Sequence, residues 1–315
     1  MNNLEKTKKE ISFTENEIDI KEFFHVIWTN RIQIIIITIA FAFLSLFYSL
    51  SLTNMFRSES LSQIAGSSGQ DFSNSISTLA DMAGISAPKS DQETKAYVVM
   101  EVVSSRAFLK HLMTFDDVLP SLMAAKEFDW TNQKLIFDKT KYDPTKKKWI
   151  RKVNPMVSQI PSVQETYVKY KQAVGFSVVE RTGFIRISIK HQSPIFAKDF
   201  LDLIIGEVNT LLRKNDLQES TDALTFLKNE MSKTSLLEIR SSINDVIESQ
   251  LKTQMMAKVR EDYVLKLIEP PFYPEVKFSP NRPLISILGT LLGLMVGTIF
   301  VVVRFYVFYQ ERKDN

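Results

Sequence analysis

The chain has 315 residues, 24% of them charged and 44% hydrophobic, so it is neither disordered nor wholly embedded in lipid. A net charge of only +3 argues against a dedicated nucleic-acid binder, which needs a concentrated basic face. The absence of cysteine removes disulfides, thiolate metal sites and cysteine nucleophiles, and the histidines His25, His111 and His191 form no metal-binding pattern.

Near the start, Ile18 to Trp28 clusters Ile20, Phe23, Phe24, Ile27 and Trp28 at helical spacing, which predicts a short helix lying on a membrane surface. His25 has no special role there. Ile32 to Leu52 follows without a charge, flanked by Arg31 and Arg57. At about 21 residues it is long enough to cross a hydrocarbon core as a helix. Its length, and the polar stretch before it, argue against a cleaved signal peptide.

Met55 to Ile64 reads as a strand. Ala65 to Asp91 reads as loops around a short helix at Leu79–Met82. Thr94 to Met113 is predicted helical with a break at Ser104–Ser105. Phe115 to Val163 is the least legible stretch. It holds Trp130, Trp149 and a basic run of Lys146, Lys147, Lys148, Arg151 and Lys152. Such a run reads first as a solvated face, with an acidic glycan or lipid headgroups as the alternative. Val163 to Ala173 suits a helix. Phe176–Glu180 and Phe184–Lys190 form a predicted hairpin turning at Gly183, with Ile185, Ile187 and Ile189 alternating on one face.

A long helical segment then begins at Ser193, a good N-cap, and Pro194, which suits the first helical position. Apolar residues recur from Leu201 to Met231. A second start signal, the capping box of Ser235 and Glu238, opens another periodic run from Ile239 to Val259. One continuous rod over these residues would be about 100 Å long. The linker from Val259 to Pro280 reaches at most about 70 Å, so a hairpin turning near Ser232–Ser235 is favoured. Tyr263 to Ile268 is a candidate strand for the same sheet as the earlier hairpin. Pro270, Pro271, Pro274, Pro280 and Pro283 then impose a stiff, extended approach to a second apolar run, Leu284 to Val303.

That run is again uncharged and bracketed by Arg282 and Arg304. Gly289, Gly293 and Gly297 fall four apart and line one helix face, where another helix can approach closely. The partner of that face is open at this point: the first span, a neighbouring subunit or a different protein. Lysines and arginines outside both spans place both tails in the cytoplasm by the positive-inside rule.

The expected fold class is α+β, with two transmembrane helices flanking a periplasmic domain. The expected parts are a cytoplasmic tail (1–31), a first span (32–52), a periplasmic domain (53–283), a second span (284–304) and a cytoplasmic tail (305–315). Within the domain, a small mixed α/β base (53–192 and 261–283) carries a projecting long helical hairpin (193–260). No phosphate-binding loop, nucleophile elbow or histidine-rich metal set occurs, so no catalytic residue, metal or cofactor is expected.

Several motifs resemble the Wzz chain-length determinant family, also called polysaccharide co-polymerases. They are Ile18-Asp-Ile before the first span, Gln250 through Pro270 running into Pro280-Asn-Arg-Pro283, the glycine-bearing helix, and His191-Gln-Ser-Pro194-Ile-Phe-Ala197 at the start of the long helix. The resemblance covers nearly the whole chain. It implies a ring-like homo-oligomer in the bacterial inner membrane, with helices projecting into the periplasm. It also implies a role in setting the length of O-antigen or a related glycan made by a Wzy-type polymerase, without catalysing the linkage. Undecaprenyl-linked polysaccharide and membrane lipid are further implied partners; nucleic acid is not. Some relatives carry a fused tyrosine kinase, whose nucleotide loop and tyrosine-rich tail are missing here, only Tyr306 and Tyr309 standing near the end. The helical segment is shorter than in the best-known members. A rival reading is a membrane adaptor that activates a separate tyrosine kinase in capsule or exopolysaccharide export. A sensor is disfavoured, because so few residues follow the second span.

Overall fold

The computed structural model describes residues 26–65, 91–179, 181–234 and 236–313. In chain order its elements are α1 (Arg31–Ser51), β1 (Phe56–Ile64), α2 (Asp91–Ser104), α3 (Arg106–Leu112), α4 (Val118–Ala124), β2 (Ala125–Asp129), β3 (Lys134–Phe137), β4 (Tyr142–Asp143), β5 (Lys148–Trp149), α5 (Val163–Ala173), β6 (Val174–Val179), β7 (Phe184–His191), α6 (Pro194–Lys233), α7 (Leu237–Val259), β8 (Leu265–Glu269) and α8 (Arg282–Lys313). The predicted surface helix at Ile18–Trp28 lies mostly outside the described residues, and the predicted short helix at Leu79–Met82 lies wholly outside them.

Two units divide the chain: residues 1–52 with 280–315, and residues 53–279. In the first, α1 and α8 pack along each other. Only 11% of the apolar window of α1 and 17% of that of α8 is buried, so neither is the core helix of a soluble body. Both are long and apolar enough to cross a membrane.

The second unit is built on an antiparallel sheet in the order β6-β7-β1-β8. Strand β1 alternates buried and half-buried residues along its length, as period-two patterning requires. Its inward residues include Ser58, Ser60 and Ser62, which stand opposite Ile189, Ile187 and Ile185 of β7. Small serines beside branched isoleucines leave room for α6 to pack across both strands. The core joins these isoleucines to Val99 and Val103 of α2, Phe108 and Leu112 of α3, Tyr170 of α5, and Leu201 and Ile204 of α6.

Helix α2 begins at Asp91, three residues earlier than the apolar pattern predicts, and breaks where Ser105 caps α3 by accepting the Phe108 amide. Tyr170 and Tyr167 of α5 donate their hydroxyls to the Val103 and Ser104 carbonyls at 2.7 and 2.8 Å, satisfying acceptors freed at the end of α2. Burial pushes the Tyr170 phenol well above its usual pKa. Helix α5 starts with a full capping box between Ser162 and Glu165.

The stretch that is opaque in sequence forms α4 and two small hairpins, β2–β3 and β4–β5, around a satellite core of Ala124, Tyr142 and Trp149. Aspartates organise the turns. Asp129 accepts the Thr131 and Asn132 amides, Asp138 accepts that of Thr140, and Asp143 accepts that of Thr145. The Asn132 side-chain amide, which donates to Asp129, and the Thr140 hydroxyl, which donates to Asp138, add to these backbone bonds and are the main reason both carboxyls lie below the usual carboxylate range.

Candidate functional site

The glycine face of α8 has its partner in the same unit. A Cβ on Gly289 would overlap the Ser45 side chain of α1. On Gly293 it would lie 2.5 Å from Phe41 Cβ and 3.2 Å from Thr38 Cα, and on Gly297 it would meet the Ile34 backbone at 3.4 Å. The helices therefore approach most closely at Gly289 and Gly293. Two hydroxyls along this seam are satisfied within their own helix: Thr38 bonds the Ile34 carbonyl and Ser45 that of Ala42. One end of the pair is closed by Val26, Ile34 and Val301, where Arg304 also donates to Gln33 at 3.4 Å. The outward faces, among them Ile35, Phe43, Phe47, Leu288, Leu291 and Phe300, are apolar and exposed.

The proline segment lies partly in each unit. Pro270 and Pro271 follow β8 directly, and Pro271 and Pro274 are buried. Between them and residue 279 the chain is strapped along β1. Ser58 donates to the Phe272 carbonyl at 2.7 Å, and Met55 pairs with Ser279 through its amide and carbonyl. Lys198 lies over the Tyr273 ring, and Arg57 and Lys190 over that of Phe278, at 4.8–5.1 Å. The Met55–Ser279 bridge brings the two ends of the 53–279 unit side by side. Pro283 sits in the first turn of α8, where no backbone donor is needed.

The start of the long helix is more elaborate than its cap alone. Ser193 accepts the Phe196 amide at 3.1 Å and Pro194 takes the first helical position. His191, 4% exposed, links three elements there. Its Nδ1 accepts the Ser193 amide at 3.1 Å, and its Nε2 faces the Ser121 carbonyl of α4 at 2.9 Å. A carbonyl only accepts and an amide only donates, so the neutral ring carries its proton on Nε2. Burial lowers its pKa to about 4.

Helices α6 and α7 form a hairpin, α6 ending at its C-cap Thr234 and α7 starting from its N-cap Leu236. The predicted capping box is corrected. Leu236 is the N-cap of α7 and makes no side-chain cap bond, Glu238 falls in the first turn, and Ser235 lies outside the described residues. Gln254 of α7 donates to Thr221 of α6 at 2.9 Å. The return from the hairpin is held by three residues of α6 that sequence periodicity alone passes over. Buried Asn209 accepts the Val264 and Leu265 amides and donates to the Leu265 carbonyl, fixing the start of β8. Arg213 donates to the Glu261 carbonyl, and the Tyr263 hydroxyl donates to Asp216. A lone asparagine within an apolar run was the available signal for the first of these. Among the described residues no group of three or more histidines and acids is placed to hold a metal.

Residues 16–114 match a family described as Wzz, chain length determinant protein. No curated protein matches the chain. Among solved structures, a full-length bacterial polysaccharide co-polymerase is 14% identical, with 92% of this chain and 98% of that chain covered at a TM-score of 0.38. A fragment of WzzB, a polysaccharide co-polymerase from Salmonella Typhimurium, is also 14% identical, with 72% and 100% covered at 0.27. Over residues 16–114, from before α1 to just past α3, the chain is thus similar to the Wzz family of chain length determinants.

Proposed function

We propose that this protein is a non-catalytic regulator of polysaccharide chain length in the bacterial inner membrane. The observation that carries this reading is the match of residues 16–114 to a chain length determinant family, on a chain with a membrane-length helix near each end. Both tails are cytoplasmic and the 53–279 unit is periplasmic, as the charge bias of the tails favours. The chain acts as a homo-oligomer beside a Wzy-type polymerase, on O-antigen or a related lipid-linked surface glycan.

Two features support the oligomer. Helix α7 exposes Leu237, Ile239, Val246, Leu251, Met255 and Val259, an apolar surface that a neighbouring copy would cover. The glycine seam is filled by α1 of the same chain, so the spans act as one rigid pair whose outer faces meet lipid, other subunits or the polymerase. The Met55–Ser279 pairing holds the two ends of the 53–279 unit together.

The test is the glycan ladder of a strain lacking this chain. Its modal length is lost and wild-type protein restores it. Gly293→Leu, which drives a side chain into Phe41 and Thr38, restores a shifted mode or none, whereas Gly297→Ala restores the wild-type mode. A ladder unaltered by deletion overturns the function. A normal ladder with Gly293→Leu overturns the seam's role alone.

A further inference from the structure

Residues 125–152, the two small hairpins and the residues that close them, are charged unlike the rest of the chain. They hold nine lysines and arginines against four acids, a surplus of five in a chain whose net charge is +3. Three of the cations are paired: Lys141 with Asp138, Lys147 with Asp116 and Arg151 with Glu165. Lys126, Lys134, Lys139, Lys146, Lys148 and Lys152 are exposed and spread over both hairpins. At the β2–β3 turn Trp130 is 55% exposed, its ring edge-on to Phe128 at 5.1 Å and to Phe56 at 5.2 Å. Phe56 opens β1, five residues beyond the end of α1 at Ser51. That length of chain reaches at most about 18 Å. Trp130 thus packs against a residue that this short length of chain joins to α1.

From the exposed lysines, the indole and this tether we infer that residues 125–152 form a docking surface for anionic phospholipid headgroups of the membrane that holds the chain. The inference rests on the membrane placement proposed above. Indoles favour the headgroup level, and lysines near an anionic surface each add attraction that falls off within a screening length. A discrete acidic sugar would need converging donors in an enclosed site. Arg151, the cation best placed for that, is already bound to Glu165 and to the Ser158 and Gln159 carbonyls. Six dispersed ammonium groups suit an extended anionic surface instead.

The cysteine-free chain makes the test direct. Full-length Thr131→Cys and Thr145→Cys variants carry a nitroxide and are placed in nanodiscs of phosphatidylcholine alone or with phosphatidylglycerol. Collision with a water-soluble nickel chelate is measured in each. Phosphatidylglycerol is expected to cut the collision rate of both labels by about threefold. At about 1 M salt, where the screening length is about 3 Å, the protection is expected to disappear. The combined variant Lys146→Glu with Lys148→Glu abolishes it while its thermal unfolding stays unchanged, and a label at Glu248→Cys on α7 does not respond. A label at Phe43→Cys must report lipid in every disc; if it reports water, the membrane placement itself fails. Lipid at Phe43 with no phosphatidylglycerol response at 131 and 145 overturns this inference alone. So does protection by a soluble acidic polysaccharide in its place, which would assign the patch to glycan.

Discussion

Helices α6 and α7 are neighbours in the chain with comparable apolar spacing, yet they are covered differently. The first four turns of α6 bury Phe200, Leu201, Ile204, Ile205 and Val208 beneath the sheet and α2. Among the described residues of α7 Ala257 alone is buried, while Leu237 and Val259 are 84% and 80% exposed. Periodicity states that a helix has an apolar face; it does not state what lies against that face. The polar anchors follow the same division. His191, Ser193, Asn209 and Asp216 all tie α6 or its approach to the unit, whereas α7 lies along α6 with Gln254 bonded to Thr221. One arm is built into the core, and the other leaves most of its apolar residues exposed.

The largest expected effect tests the covered arm. Ile204→Ala removes a fully buried side chain and is expected to cost about 4 kcal/mol in urea unfolding of the solubilised protein. Val246→Ala on α7 is expected to change protomer stability by no more than about 0.5 kcal/mol and to weaken self-association instead. Equal losses from the two would mean that the arms are not differently covered.

Next is the response to acid at the start of α6. Native His191 stays neutral down to about pH 4, whereas in the unfolded chain it gains a proton near the ordinary histidine pKa of 6.5. Between those limits the unfolded state binds more protons, so stability falls as pH drops and is independent of this residue above the window. The full loss is about 3 kcal/mol, read from unfolding midpoints across pH 7 to about 4. His191→Gln is expected to flatten that slope, and an unchanged slope would place the titrating group elsewhere.

Asn209→Ala strips the Val264 and Leu265 amides of their acceptor and is expected to cost about 2 kcal/mol, with early amide exchange over β8. The smallest effect lies outside both arms. Gln133, at φ 52°, occupies a backbone region that favours glycine, so Gln133→Gly is expected to raise stability by about 0.5–1 kcal/mol.

The hairpin of α6 and α7 is legible in sequence because chain length decides it: the linker after Val259 cannot reach back from the end of a rod. The start of α6 is legible because serine and proline act locally there. The start of α7 is not. Ser235 and Glu238 carry a capping box in letters, but the helix begins at Leu237 with Leu236 as its N-cap and no side-chain cap bond. The small hairpins were opaque for a different reason. Strands of two to five residues are too short to display a period. The repeated aspartate, with threonine two residues on at Asp129, Asp138 and Asp143, was the signal that marks their turns. The glycine triplet announces a helix partner without naming it. Only the packing of Ser45, Phe41 and Ile34 against it identifies α1.

Everything proposed for α7 requires the 53–279 unit to lie outside the cytoplasm. Glu248 is exposed on α7, and the chain has no cysteine of its own. A membrane-impermeant maleimide applied to intact spheroplasts expressing Glu248→Cys reads the side directly. The account predicts labelling before lysis; labelling that appears only after lysis would contradict it.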